Sequence, residues 1–373
     1  MKKCFLVQSY LDAGNGNLFH YIFVESQGDP KTDPLVLWLN GGPRCSSLGG
    51  LFTELGPYLI NKDGKTLRLN PYSWNKYASI IFLESPAWTG YSYNTKSKNV
   101  STNDDSVAVE NYAALKDFFN KYPSFKSNPF YLTGESYAAV YIPILAVKIL
   151  GGNKATQINL KGVAIGNGVL SDSLHTNTLP LYLYSHGLMD EEVWQSFQSQ
   201  CCNGCMDGCD IKGIPDESKC GNMGGNLFAA YNNKLLNIYN IYENCALHIP
   251  PILNNKWEVC SSNHFNKYTP IYEEMANFIK TILNANIRMI FYNGDLDMRC
   301  NMLMGQRFTE KLGYKLKTIK QSWIVNGQIG GFKTEYENGL TFTTVRRAGH
   351  AVPQYKPQES LYMIKQFLDN KPL

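Results

Sequence analysis

The segment Phe130-Tyr131-Leu132-Thr133-Gly134-Glu135-Ser136-Tyr137-Ala138, with the apolar run that continues to Leu150, constrains the fold more than any other stretch of this chain. Its first half reads as a β-strand and its second half as a buried helix, with room for only a tight turn between them. A serine at the tip of such a turn holds its hydroxyl clear of the backbone, the layout of a nucleophile elbow. Gly134 and Ala138 flank Ser136 as small residues, as a close approach of strand and helix requires. The run from Tyr137 to Leu150 contains Pro143 and Lys148 and falls short of the roughly 18 uninterrupted apolar residues of a membrane span. It is expected to lie inside a core.

Around this unit, short β-rich runs alternate with helical patterns. Leu18 to Glu25, Pro34 to Leu39, Ser79 to Glu84, Pro129 to Thr133, Leu160 to Ile165, Ile287 to Tyr292 and Leu340 to Val345 read as strands. Asn15-Gly16 marks a hairpin, with the first strand expected to be clipped at its N-terminal side. Ala108, Tyr112, Leu115 and Phe119 recur at helical spacing between Asp104 and Lys121, and a closing helix is expected from Pro357 to Leu368. The pattern is α/β. From Ser171 to Glu258 the strand rhythm disappears while Cys, Gly, Asn and Tyr accumulate. The chain thus divides into a core, first part (1–170), an inserted, disulfide-rich cap (171–258) and a core, second part (259–373).

A serine hydroxyl needs a base, and the base needs a carboxylate to hold its tautomer. In the α/β-hydrolase fold the acid precedes the histidine in the chain. Gly294-Asp295-Leu296-Asp297 follows one expected strand and Ala348-Gly349-His350 follows another, so Asp297 and His350 complete a candidate triad with Ser136. Asp295 is the alternative acid. His20, His175, His186, His248 and His264 sit in strand, cap or loop contexts and read as structural. Oxyanion stabilisation takes two backbone N–H donors, assigned to Tyr137 and to Gly42 in Trp38-Leu39-Asn40-Gly41-Gly42-Pro43.

Net charge is +4 over 373 residues, with no dense basic block, so nucleic acid and membrane surfaces are not expected partners. Of the 10 cysteines, Cys201, Cys202, Cys205, Cys209 and Cys220 crowd one segment. They point to disulfides and an oxidising compartment. Zinc is the competing reading of the Cys202–Cys205 spacing, weakened by the lack of histidine nearby. Asn99-Val100-Ser101 is a candidate glycosylation site. Met1 to Val7 is too short for a signal sequence, which suggests an incomplete N-terminus.

These motifs, with Leu11-Asp12-Ala13-Gly14-Asn15-Gly16, Glu54-Leu55-Gly56-Pro57, Ile165-Gly166-Asn167-Gly168 and the Cys201-Cys202 pair, run in order nearly end to end. Together they resemble the serine carboxypeptidases, and within them enzymes of the lysosomal cathepsin A type. The resemblance implies an α/β-hydrolase fold with a cap, a Cys45–Cys260 bridge, no cofactor, and release of C-terminal residues from peptides. It also implies that Asn40, Glu54 and Glu135 hold the terminal carboxylate through protonated carboxyls, which favours acid. Peptides are the expected substrates, a homodimer is left open, and the location is lysosomal or extracellular.

Departures from the family pattern accompany the matches. Arg44, Trp88, Ala139 and Arg347 stand where relatives usually carry glycine, and Ala351 where Met is usual. Arg44 or Arg347 could block the oxyanion hole, or pair with Glu54 or Glu135 and so abolish carboxylate binding, or instead reinforce that binding. The chain is shortened between Cys245 and Trp257, which leaves Cys245 without its usual partner and one of Cys205 and Cys209 spare. Two other functions follow from such changes: a catalytically weakened relative that protects or binds other proteins, or an esterase or acyltransferase with the same triad.

Overall fold

Asn15 and Gly16 both take positive φ (54° and 85°), which a two-residue hairpin turn demands. They join β1 (Leu6–Gly14) to β2 (Asn17–Val24), paired antiparallel from Leu6↔Val24 to Gly14↔Asn17. From Leu6 the first strand pairs along the full length of the second. The computed structural model describes residues 6–99, 101–206, 209–215, 217–229, 231–244, 258–261 and 267–373. Calls on Cys245, His248, Trp257 and His264 lie outside these residues.

The middle of the sheet is parallel. β3 (Leu35–Leu39), β4 (Ser79–Leu83), β5 (Phe130–Glu135), β6 (Leu160–Gly166), β7 (Arg288–Gly294) and β10 (Leu340–Val345) are apolar on both faces because helices cover both sides. β8 (Leu316–Val325) and β9 (Gln328–Tyr336) complete the order β1-β2-β4-β3-β5-β6-β7-β10-β9-β8. β1, β2 and β4 are antiparallel neighbours at one end, and β10, β9 and β8 at the other. The β8–β9 hairpin was not anticipated. Its strands mix Lys, Gln, Thr and Ile without clean alternation, yet Asn326-Gly327 repeats the turn signal of Asn15-Gly16, again with both φ positive (49° and 72°).

α1 (Asp104–Lys121) buries Ala108, Leu115 and Phe119 of the anticipated stripe, leaves Tyr112 half-buried, and buries Val107 and Phe118 besides. α2 (Ala138–Thr156) follows the elbow. Between β6 and β7 the described residues hold α3 (Asp172–Ser185), α4 (Glu191–Cys201) and α5 (Lys219–Leu227) of the insert, then a helix at Ala276–Asn284 that packs into the main core, with no strand of the large sheet. Cys201–Cys220 and Cys202–Cys209 staple this insert, and Cys45–Cys260 ties the loop after β3 to the chain that follows it. Cys205 is an exposed free thiol: it is the spare one of Cys205 and Cys209, as expected, and it drops out of the disulfide candidates. A final helix, Pro357–Leu368, closes the core. Among the described residues no helix is long and apolar enough to cross a membrane.

Glu110 of α1 is buried against the N-terminal hairpin, where Asn17 Nδ2 donates to its Oε1 at 2.9 Å. Burial pushes its pKa up to about 7, opposed only by that hydrogen bond. A carboxyl with a raised folded-state pKa costs nothing in acid. Stability is lost as pH rises from the unfolded value towards 7, by roughly 3 kcal/mol in all. Glu110→Gln keeps the acceptor and removes the charge. Thermal melts should find the variant equal to wild type at pH 4.5 and higher in Tm by a few degrees at pH 8. An equal difference at both pH values would show that burial of this carboxyl is not the cause.

Candidate active site

The C-terminal ends of β3, β5, β6, β7 and β10 meet along one edge of the sheet, where parallel α/β sheets bind their ligands. β5 delivers Ser136 with φ of +62°, a left-handed conformation costly for a residue with a Cβ. The turn is held by Ser136 N–H to Gly166 O (3.0 Å), and by Ala139 N–H and Val169 N–H to Ser136 O (3.0 and 3.1 Å). Gly41, in the loop after β3, presses against it: a Cβ there would lie 2.3 Å from Tyr137 N and 2.8 Å from Ser136 Cβ. Gly42 (φ +111°) follows, so the two candidate oxyanion donors, Gly42 and Tyr137, line one cleft of about 600 Å³ with Ser136 and His350.

Asp297, not Asp295, meets the histidine. His350 Nδ1 lies 2.7 Å from Asp297 Oδ2, and Asp297 is fully buried. Its other donors are Asn167 Nδ2 (2.8 Å) and Cys300 N–H (3.1 Å) to Oδ2, and Arg299 N–H (2.9 Å) to Oδ1. Asn167 also accepts from Gly294 N–H through Oδ1 (3.0 Å), which fixes its amide orientation. Asn167 lies in a recognised motif, but its contact with the acid was not anticipated, because the 130 residues between them close only in the fold. Asp295 instead accepts from Arg347 N–H at 2.6 Å, and burial raises its pKa. His350 N–H donates to Tyr239 O of the insert (2.8 Å), and the Tyr239 ring stands edge-on to the imidazole. Ser136 Oγ and His350 share the cleft without a hydrogen bond between them, a common state of catalytic pairs that tighten only on substrate.

A second group of carboxyls lines the same cleft. Asn40 Nδ2 donates to Glu54 Oε1 (3.1 Å) and to Glu135 Oε1 (3.0 Å), while its Oδ1 accepts from Trp38 Nε1 and Gly50 N–H. Both amide hydrogens of Asn40 thus point at the glutamates, which it holds together as a pair. Glu54 and Glu135 are buried (3% and 6% exposed) and interact side chain to side chain. Burial raises both pKa values, Glu135 well above the ordinary range because the Glu54 charge adds to it. Glu54 Oε2 has no hydrogen-bond partner. Two carboxyls in this setting hold a proton that an exposed glutamate would release.

The departures from the family pattern are mostly turned away from the chemistry. Arg44, Trp88 and Arg347 all have left-handed backbone (φ 69°, 67° and 58°), the conformation glycine adopts without penalty. The Arg44 guanidinium donates to Ser261 Oγ at 2.8 Å beside the Cys45–Cys260 bridge and does not line the cleft. Arg347 is exposed. The expected crowding of the oxyanion loop or pairing with Glu54 or Glu135 is therefore corrected. Ala139 is buried with its Cβ towards Gly168, and Ala351 lines the cleft beside His350. His20 is buried against Glu84 and His186 stacks on Tyr182. Among the described residues, the only cluster with metal-ligand geometry is Asp297, Cys300 and His350, and burial raises the Cys300 thiol well above its ordinary pKa, which disfavours the thiolate a metal needs.

Comparison with known proteins agrees with this architecture. The sequence pattern described as serine carboxypeptidase matches residues 4–248 and 245–370. The chain is 36% identical over 435 residues to the lysosomal protective protein of Mus musculus, covering 97% of this chain and 90% of that protein. It is also 36% identical over 429 residues to serine carboxypeptidase ctsa-4.1 of Caenorhabditis elegans, covering 98% and 90%. In structure it superposes on a prohormone-processing carboxypeptidase of Saccharomyces cerevisiae with a TM-score of 0.81, at 22% identity, over 98% of this chain and 91% of that one, a likeness of fold.

Two substitutions test the geometry through the rate at which a fluorophosphonate labels Ser136. Asn167→Gly suits the positive φ of that position (38°) but removes the donor that holds Asp297, and should slow labelling about tenfold or more. Arg44→Gly should leave the rate within about threefold. A large gain in Arg44→Gly would place the guanidinium in the oxyanion loop after all.

Proposed function

The chain belongs to the serine carboxypeptidase family, and from that premise we propose that it releases C-terminal residues from peptides in acid through an acyl-enzyme on Ser136. The observation that carries this reading is one cleft holding both Ser136 with the His350–Asp297 pair and the Asn40-linked Glu54–Glu135 pair.

His350 takes the Ser136 proton as Oγ attacks the last peptide carbonyl, and Asp297 stabilises the imidazolium that forms. The N–H groups of Gly42 and Tyr137 hold the oxyanion. Collapse breaks the C–N bond, and His350 returns its proton to the departing amine. Water, deprotonated by the same histidine, then cleaves the ester and restores Ser136. The Glu54–Glu135 pair contributes a carboxyl proton to hydrogen-bond the substrate's terminal carboxylate. Its exclusion from water keeps that proton available where free glutamate has lost it. The insert between β6 and β7 acts as a cap, contributing Tyr239 to the cleft.

The reading of a catalytically weakened relative rested on glycine lost at Arg44, Trp88, Ala139 and Arg347; the Arg44 guanidinium bonded to Ser261 and the exposure of Arg347 favour the active enzyme over it. The disulfide-stapled insert and the similarity to a lysosomal protective protein support a lysosomal or extracellular location. Asn99 is exposed and remains the candidate glycosylation site.

Ser136→Ala should remove turnover by several orders of magnitude while the protein stays folded. The sharper test is pH. Because both glutamate pKa values are raised, the protonated, binding-competent pair is present in acid and is lost as pH climbs through those values. For a free-acid peptide kcat/KM should fall with rising pH, chiefly through KM. The matching C-terminal amide needs no shared proton and should be cleaved with a higher pH optimum. Superimposable profiles would exclude recognition of the terminal carboxylate by Glu54 and Glu135 and favour a general esterase.

A further inference from the structure

Asp104 is fully buried at the first turn of α1, yet it makes no ion pair among the described residues: both carboxylate oxygens are taken by four donors from two other parts of the chain. Oδ1 accepts from Tyr137 OH (2.9 Å) and Tyr268 OH (2.5 Å). Oδ2 accepts from Ile271 N–H (2.6 Å) and Tyr272 N–H (3.0 Å). A carboxylate has about four acceptor positions, so this one is saturated. Its place at a helix N-terminus is where negative charge is favoured.

Each donor leads to the cleft. Tyr137 directly follows Ser136, and its backbone N–H is the oxyanion donor on the reading above, on which this inference rests. Tyr268 packs edge-on to the Tyr137 ring at 5.7 Å, and both rings pack against Tyr141. Pro270, Tyr272 and Glu273 form a wall of the cleft, in the stretch whose backbone Asp104 grips. That stretch has little regular structure of its own: a short parallel pairing of Tyr268–Thr269 with Thr102–Asn103, and at its far end a bridge of Glu274 to Ser171 with Asp172 N–H donating to Glu273 O (2.8 Å). The helix, by contrast, is anchored in the core along its length.

We propose that Asp104 is a positioning residue that sets the oxyanion donor by holding the Tyr137 phenol, and with its second oxygen sets the substrate-facing wall at 270–273. Helix α1 supplies the rigid base. The Tyr137 backbone, in a turn already strained at Ser136, gains from its own side chain a remote anchor that resists tilting of its N–H. Small displacements at such a donor carry large rate penalties, because the hydrogen bond counts only at the geometry of the tetrahedral species.

The experiment separates this role from plain structural support. Tyr137→Phe deletes one hydroxyl and keeps the ring. It should lower kcat about tenfold and weaken binding of a peptide aldehyde, which forms a tetrahedral adduct on Ser136, by a similar factor. KM and the affinity for an N-acyl amino acid product should stay within about twofold. Asp104→Asn, isosteric but with only one acceptor oxygen, should lose at least as much kcat and also raise KM, since the wall is released with it. The double variant should be no slower than Asp104→Asn alone, because both changes break one linkage. Full kcat and aldehyde affinity in Tyr137→Phe, or multiplicative losses in the double variant, would overturn the proposal. Should Asp104→Asn fail to fold, Tyr137→Phe and Tyr268→Phe decide it through the same split between kcat and KM. Turnover surviving in Ser136→Ala would overturn the reading of the site itself, and the inference with it.

Discussion

Everything at this site depends on a close backbone approach at the carboxyl end of β5. Ser136 is forced to positive φ, and the loop after β3 lies so near that Gly41 has no space for a Cβ. Strand pairing enforces the approach, since β3 and β5 are parallel neighbours in register from Leu35↔Phe130 to Leu39↔Gly134. Once the strands pair, their ends must meet. The serine hydroxyl, the Tyr137 N–H and the Gly42 loop are thereby brought to one point. The strain of the elbow is offset by the buried sheet on which it rests.

From that point the fold treats its carboxyl groups in opposite ways. Asp297 sits among donors from Asn167, Arg299, Cys300 and His350, an environment made for an acceptor. Glu54 and Glu135 receive the two hydrogens of Asn40 and face each other; burial raises both pKa values, and the Glu54 charge raises that of Glu135 further. The chemical difference between an orienting carboxylate and a proton-holding pair thus comes from donor supply and not from residue type. Asp104, saturated by four donors, belongs with the first kind though it stands one layer back from the reacting atoms.

Where sequence reasoning missed, the cause is specific. The β8–β9 hairpin lies at the sheet edge, where Lys and Gln on exposed faces blur the alternation that marks a half-buried strand. Arg44 and Arg347 read as intrusive cations because a sequence gives a side chain's reach but not its direction. The backbone at both positions is left-handed, and Arg44 is turned to Ser261 while Arg347 faces solvent. Asn167 and Asp104 were missed as site residues because their partners are far along the chain.

The sequence by itself determined the elements that local chemistry controls: the elbow at Ser136, the Asn15-Gly16 hairpin, helix α1, the apolar parallel strands, and the order in which Ser136, Asp297 and His350 follow them. Turn residues, periodicity and glycine spacing act within a few residues, so they can be read in one dimension. Only the tertiary structure decided which of Asp295 and Asp297 meets His350, that Asn40 holds the two glutamates together, that Cys205 is left unpaired, and that Asp104 ties the elbow to the cleft wall. Those outcomes depend on distance and direction between groups up to 168 residues apart, as for Asp104 and Tyr272, and only the packed sheet and its helices fix them.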